Sequence, residues 1–284
     1  MKTGASWTVK THFKDWAKPG PVPPGALTAP SVPDGESLDA ISGHFRLYQL
    51  RGGHRFSTDD VLTAWYGTSW VPSAARVLDL GSGIGSVGMI AAWRFPAATF
   101  VTVEAQEQSV ALARKSARYN GIDARFEIRQ GDFRHAGVLG DDERFDLVLG
   151  SPPYFPLGAG IEGDHPQKVA CRFELRGTVA DYASVAAAHL LPGGLFACVF
   201  PEVERERVER AATEARLTIV RRRPVVFKEG EPPLVGLFAM TRNEDLPDAM
   251  QGRTWVEPPL VVRDAQGNVH PEYSAVKLSI GFPP

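Results

Sequence analysis

The 284-residue chain has two cysteines, Cys171 and Cys198, too far apart to form a Cys-x-x-Cys pair. A disulfide framework and a cysteine-based zinc module are therefore excluded, and a reducing compartment is expected. The seven histidines show no metal-ligand spacing, so no resident metal is expected either. An excess of positive charge is missing too: 31 Lys and Arg face 33 Asp and Glu, a formal net charge of -2. Binding nucleic acid through bulk charge is excluded, and a nucleic-acid substrate would need a local basic patch. No apolar run approaches the roughly 18–20 residues of a membrane-spanning helix. The first residues lack the apolar core of a secretory leader. The expectation is a soluble cytoplasmic protein with no membrane partner. A Gly-Lys-Ser/Thr phosphate loop is absent as well.

What is present begins with a hydrophobic share of 43%, enough for a sizeable core. Glycine and proline, at 28 and 23 residues, exceed the usual combined share of about 12%. Part of the chain must therefore be loop. Pro19, Pro21, Pro23, Pro24, Pro30 and Pro33 cluster early, in a stretch that can be neither helix nor central strand. Before them, Lys2, Lys10, Lys14 and Lys18 face only Asp15, with Trp7, Phe13 and Trp16 interleaved. That composition suits an arm for single-stranded nucleic acid. It equally suits a docked terminus whose aromatics cover the body, which is the default.

From Ser37 onward the pattern becomes globular. Apolar strand-like runs lie at 44–51, 76–80, 99–104, 125–129, 145–150 and 195–200. Between them, residues 59–70, 85–95, 106–119, 178–191 and 202–215 repeat at helical spacing. Residues 217–227 and 234–241 read as a closing hairpin. Strand–helix alternation of this kind predicts an α/β fold, a mostly parallel sheet with helices on both faces and one antiparallel strand. The expected organisation is an arm over 1–43 and one catalytic domain over 44–284. That domain divides into an entry segment 44–75, a core 76–245 and a tail 246–284.

The strand at 76–80 runs into Asp79-Leu80-Gly81-Ser82-Gly83-Ile84-Gly85. Glycines allow a tight turn and close approach of a ligand to the backbone, and a helix N-terminus follows. Glu104 ends the next strand, about 20 residues on, where a carboxylate accepts from a ribose diol. A dinucleotide fingerprint wants Gly or Ala where Ser86 stands. Asp79 would repel a pyrophosphate but suits the ammonium of a methionine moiety. The residues thus favour S-adenosylmethionine (SAM) over a dinucleotide. Gly131-Asp132-Phe133 follows the third strand, where a carboxylate can meet an adenine amine or merely cap a helix.

The fourth strand ends in Ser151-Pro152-Pro153-Tyr154-Phe155. Two prolines fix the backbone and remove two amide donors. The Ser151 hydroxyl and the residue-152 carbonyl can then accept both hydrogens of a planar amine, turning its lone pair toward a methyl donor. Such catalysis is positioning plus electrostatics, without a strong base. Tyr154 or Phe155 can stack on a base flipped into the pocket.

These two motifs resemble class I SAM-dependent methyltransferases of the amino-methylating kind, usually marked by Asn/Asp-Pro-Pro-Tyr/Phe/Trp. His54-Arg55-Phe56-Ser57-Thr58-Asp59-Asp60-Val61-Leu62 is similar to the Phe-Ser-x-Asp entry segment of the bacterial tRNA(Val) adenine-N6 methyltransferase family. Cys171-Arg172-Phe173-Glu174 with Thr178-Val179-Ala180-Asp181, and Pro259-Leu260-Val261-Val262 with Gly267 and Tyr273, resemble further stretches of it. The resemblance covers roughly residues 37 to 275. It implies a seven-stranded Rossmann-like sheet and methyl transfer to the exocyclic amine of adenine in tRNA or other RNA. It implies that Asp79, Gly81, Gly83, Glu104 and Asp132 bind SAM, with Ser82, Gly85 and Phe133 on the same loops and Asp59, with its neighbours on the entry segment, at the rim. Ser151 to Tyr154 would hold the target amine. Ser151 departs from the family's Asn, which leaves a cytosine amine or a protein glutamine amide open, and Phe173 replaces a usual His. A non-catalytic binding module and a nicotinamide oxidoreductase are the remaining alternatives.

Arg205, Arg207, Arg210 and Arg216 are diluted by glutamates and read as a solvated helix face. Arg221-Arg222-Arg223 is undiluted and could contact phosphates. Arg172 follows the active-site loop and is a candidate for substrate. The Gly- and Pro-rich loop 156–170, with His165, is a candidate lid. The oligomeric state is not legible.

Overall fold

The computed structural model describes residues 7–155, 167 and 174–284. Among them, nine strands form one central sheet. Its middle is built from β5 (Arg76–Leu80), β6 (Thr99–Glu104), β7 (Phe126–Gln130), β8 (Phe145–Gly150), β9 (Leu190–Pro201), β10 (Leu217–Val226) and β11 (Val235–Arg242). The spatial order is β10-β11-β9-β8-β5-β6-β7, and β11 alone runs antiparallel to both of its neighbours. Two short strands, β12 (Trp255–Val256) and β13 (Leu260–Val261), extend the sheet beyond β10. The seven-stranded expectation is thus met and widened by a tail that adds a parallel edge.

The strands read as continuous apolar runs because both sheet faces are covered. Val77, Leu147, Leu149 and Val199 face α1 (Thr58–Trp70), α2 (Ser86–Arg94), α3 (Glu107–Asn120) and α6 (Pro271–Ser279). Leu78, Leu80, Val148 and Phe196 face α4 (Val179–His189) and α5 (Arg205–Glu214). Successive residues of one strand therefore serve two cores.

Local chemistry sets the helix ends. Ser57 and Asp60 form a capping box at α1, with the Ser57 amide donating to Asp60 Oδ2 over 2.7 Å. Thr178 and Asp181 repeat the device at α4. Gly121 ends α3 in the left-handed region.

Ahead of the sheet, β3 (Glu36–Ala40) pairs antiparallel with β4 (Arg46–Leu50). Asn120 ties this ribbon to α3: it accepts from the Arg46 amide over 2.9 Å and donates to the Arg46 carbonyl over 2.8 Å. The proline-rich stretch is irregular apart from one short turn at Pro24–Ala26. It is docked on the body, with the Tyr48 hydroxyl donating to the Ser31 carbonyl, while Trp7 Nε1 folds the start of the arm back onto it by donating to the Ala26 carbonyl. Before it, β1 (His12–Phe13) and β2 (Trp16–Ala17) make a small hairpin.

Candidate active site

The carboxyl ends of β5, β6 and β8 and the loop after β7 open into one cavity of about 500 Å³. This is where ligands bind in open α/β sheets. Asp59, Asp79, Gly81, Ser82, Gly83, Glu104, Asp132, Phe133 and Ser151 through Phe155 all line it. Gly85 does not; it caps α2 from the left-handed region, φ 85°.

The glycines are required at two points. Gly81 has φ 60°, and a Cβ there would stand 1.9 Å from the Tyr182 hydroxyl. Gly83 has φ 55°, and a Cβ there would meet nothing within 4 Å, because the space beyond it is open. The turn is held by Glu104, whose Oε2 accepts from the Gly83 amide over 2.9 Å and whose Oε1 accepts from the Gln106 amide over 2.6 Å. Each oxygen keeps a lone pair for a diol. Ser82 Oγ is buried and has no hydrogen-bond partner among the described residues.

The cavity is rich in carboxylates. Asp79 is fully desolvated, which pushes its carboxyl up to about 8, although the Gly88 amide donates to it over 2.9 Å. Burial likewise raises Asp60 to about 6 and shifts Asp59 and Glu104 upward. Arg176 also lines the cavity and partly offsets the Glu104 shift. Such a lining repels a polyphosphate and suits a cationic ligand, because like charges in a low-dielectric site repel strongly.

Tyr154 anchors the second half of the site. Its hydroxyl donates to Asp59 Oδ2 over 2.6 Å, and its ring meets Phe200 edge-on at 5.7 Å. Burial and the Asp59 charge hold the phenol well above its ordinary pKa. Tyr154 therefore keeps its proton and cannot act as a base. Asp132 is held below the usual carboxylate range by Arg134, which donates from its backbone and from two guanidinium nitrogens. Asp132 lines the cavity in this pairing.

The arginine triplet needs correction as a phosphate cluster. Arg221 is only 8% exposed, pairs with Glu257 and stacks on Trp70, its guanidinium carbon 3.7 Å from the ring centroid. Arg222 pairs with Glu202, and Arg223 with Glu272. Alternation along β10 sends the three to different carboxylates, and none lines the cavity. Arg172, with Cys171, Phe173, His165 and the proposed lid apart from Gln167, lies outside the described residues.

His54, Ser57 and Asp60, on the entry segment around Asp59, line the cavity as expected of that segment, whereas Ser86, Gln106, Arg176 and Tyr182 escaped sequence reasoning as lining residues. Gln106 was within reach, since it stands two residues after the strand-ending Glu104. Tyr182 gave no local signal, because its partner Gly81 is about a hundred residues away.

Comparison with known proteins agrees with this geometry. Residues 68–163 match the family model of the methyltransferase small domain. A tRNA1(Val) (adenine(37)-N6)-methyltransferase of Bacteroides thetaiotaomicron is 28% identical over 211 residues, 71% of this chain and 82% of that protein. Its counterpart in Porphyromonas gingivalis is 29% identical over 251 residues, 84% and 92% of the two chains. A release factor glutamine methyltransferase of Geobacter sulfurreducens is 38% identical, but over only 97 residues, 34% of this chain and 32% of that one. Among solved structures, a protein described as a predicted O-methyltransferase from Agrobacterium tumefaciens superposes with a TM-score of 0.59 at 19% identity. That likeness covers 79% of this chain and 97% of the other, and it is a likeness of fold.

Sheet order, glycine turn and Pro-Pro-Tyr site define the class: the chain is a class I SAM-dependent methyltransferase. Within that class, its likeness to the adenine-N6 enzymes runs over most of its length, while its likeness to the glutamine enzymes covers about a third of it.

Proposed function

We propose that this enzyme methylates the exocyclic N6 amine of an adenine in RNA, a tRNA foremost. The observation that carries the reading is the placement of Ser151–Tyr154 across one cavity from the glycine turn, with Tyr154 fixed on Asp59. The residues present fit SAM. The carboxylates favour its positive charge, the open space at Gly83 admits its backbone, and the unpartnered Ser82 hydroxyl awaits a polar group. When bound, SAM supplies an electrophilic methyl group. Asp79 and Ser82 hold the methionine end, Glu104 the ribose, and Asp132 with Phe133 the adenine end.

The chain's own residues then prepare the nucleophile. The Ser151 hydroxyl and the Pro152 carbonyl accept the two amine hydrogens, which turns the nitrogen lone pair out of conjugation. Tyr154 supplies a ring face for the base, and its hydroxyl stays protonated on Asp59. The proton lost after transfer needs no strong base, because the methylated ammonium of an aromatic amine is acidic. Barrier lowering comes from alignment and fixed dipoles.

A protein glutamine amide offers the same two hydrogens, and the local likeness to release factor glutamine methyltransferases favours it as a second reading. One experiment separates them: total tRNA and total protein are incubated with methyl-labelled SAM and the enzyme, and nucleosides and amino acids are analysed by mass spectrometry. Labelled N6-methyladenosine is the expected product. Label in methylglutamine or methylcytidine alone sinks the adenine reading.

A further inference from the structure

A second cavity, about 450 Å³, lies under the N-terminal hairpin. Phe13 and Trp16 of the hairpin line it together with Phe56, Val61, Tyr273 and Phe282. Phe13 is 51% exposed, so its ring is open at the mouth. We propose that this cavity is a second nucleobase subsite, holding a nucleotide next to the one whose amine enters the Ser151–Tyr154 site. The proposal rests on the RNA reading above.

Three observations select a nucleotide rather than an aliphatic occupant. The walls are aromatic, and every base presents a π-face to stack on such rings without regard to sequence. The hairpin that carries Phe13 and Trp16 also carries cations, three lysines against Asp15. Lys10, Lys14 and Lys18 lie on the hairpin and enter no ion pair among the described residues. Lys18 donates to the Lys10 carbonyl over 2.6 Å and feels Arg46 and Lys10 as like charges. Lys14 sits 5.9 Å from the Phe13 ring centroid, beside the mouth. In a chain of net charge -2, such a cluster is the local patch that phosphates require.

The third observation is continuity. Ser57 lines both cavities, and the first turn of α1 is the wall between them. On one side of that turn Asp59 holds Tyr154, and on the other Thr58 hydrogen-bonds Tyr273. A base flipped against Tyr154 and its strand neighbour can therefore occupy the two cavities together.

The test begins by mapping the methylated adenosine in total tRNA, then making a stem-loop RNA with an abasic nucleotide on either side of it. Trp16→Ala and Phe13→Ala should each raise the KM for the stem-loop roughly tenfold, the scale of one lost base stack. The kcat at saturating RNA and the Kd for SAM should hold, and Trp16→Phe, which keeps a ring, should retain most of the affinity. One abasic flank should cost the wild-type enzyme the same factor and cost Trp16→Ala nothing more. If wild-type enzyme methylates adenosine but Trp16→Ala leaves KM unchanged, or the abasic and Trp16→Ala losses multiply, the subsite is overturned and the RNA reading survives. A loss of SAM affinity or thermal stability in Trp16→Ala that Trp16→Phe shares would also overturn it, by showing a structural role. If label enters only protein or cytosine, the RNA reading fails and the subsite with it.

Discussion

Tyr154 joins the two halves of the site through one 2.6 Å hydrogen bond to Asp59. Tyr154→Phe keeps the ring but leaves a buried acceptor without its donor. That should cost about 1–3 kcal/mol of stability, read as a lower midpoint in urea unfolding. Tyr154→Ala removes the ring as well and should abolish transfer while the Kd for SAM, measured by calorimetry, changes little. Asp79 gives a pH signature. Its carboxyl stands at about 8 in the folded chain against an ordinary 3.8. The folded state thus holds its proton where the unfolded state has lost it, so stability falls as pH rises through that window. Asp79→Asn should flatten this fall in pH-dependent thermal unfolding. A cationic ligand reverses the preference by favouring the carboxylate. SAM affinity should therefore rise between about pH 6 and 8, set by Asp60 and Asp79, and binding should release protons, measurable by calorimetry in two buffers. An affinity that is flat over that range would remove Asp79 from the cation's partners.

At the scale of elements, the glycine turn is constrained from two directions. Gly81 is closed in by Tyr182 from α4, whereas Gly83 faces open space. Both have positive φ, so an alanine at either costs roughly 1–2 kcal/mol of backbone strain. Gly81→Ala must in addition displace Tyr182, and should weaken folding more than Gly83→Ala does. Gly83→Ala should leave the fold nearly intact and still impair SAM binding, because its methyl enters the cavity. Thermal midpoints and SAM affinities of the two variants check this split. Most of these elements were legible beforehand, because a strand buried on both faces is a run of apolar residues and a helix is periodic. The ribbon strand β3 was not, since its five residues are only half-buried and carry Glu36 and Asp39.

At the scale of the molecule, the tail is fastened to the sheet by buried charge. Arg221 on β10 pairs with Glu257, which also accepts from Tyr66 of α1 over 2.8 Å. Three distant segments therefore share one ion pair. Removing one partner of a buried pair typically costs about 3–5 kcal/mol. Arg221→Met should cost that much in denaturant unfolding, and Arg221→Met with Glu257→Gln should recover part of it. The KM for RNA should not change in the double variant. A large KM effect without loss of stability would restore the phosphate-binding expectation. The near-neutral charge agrees with this arrangement: many arginines are matched to carboxylates within the fold, and three of the five lysines without an ion pair among the described residues, Lys10, Lys14 and Lys18, lie at the N-terminal hairpin.

The sequence by itself determined the sheet, its single antiparallel strand, the glycine turn and the Pro-Pro-Tyr loop. Each is written in consecutive residues, as periodicity, φ preference or a missing amide donor, and needs no distant partner to be recognised. Only the tertiary structure decided what surrounds them. Tyr182 against Gly81, Asp59 under Tyr154, the pairing of Arg221–Arg223 and the cavity beneath Phe13 and Trp16 all depend on residues far apart in the chain. Such contacts are fixed by packing and by the need to pair buried charge, and neither leaves a mark on local sequence.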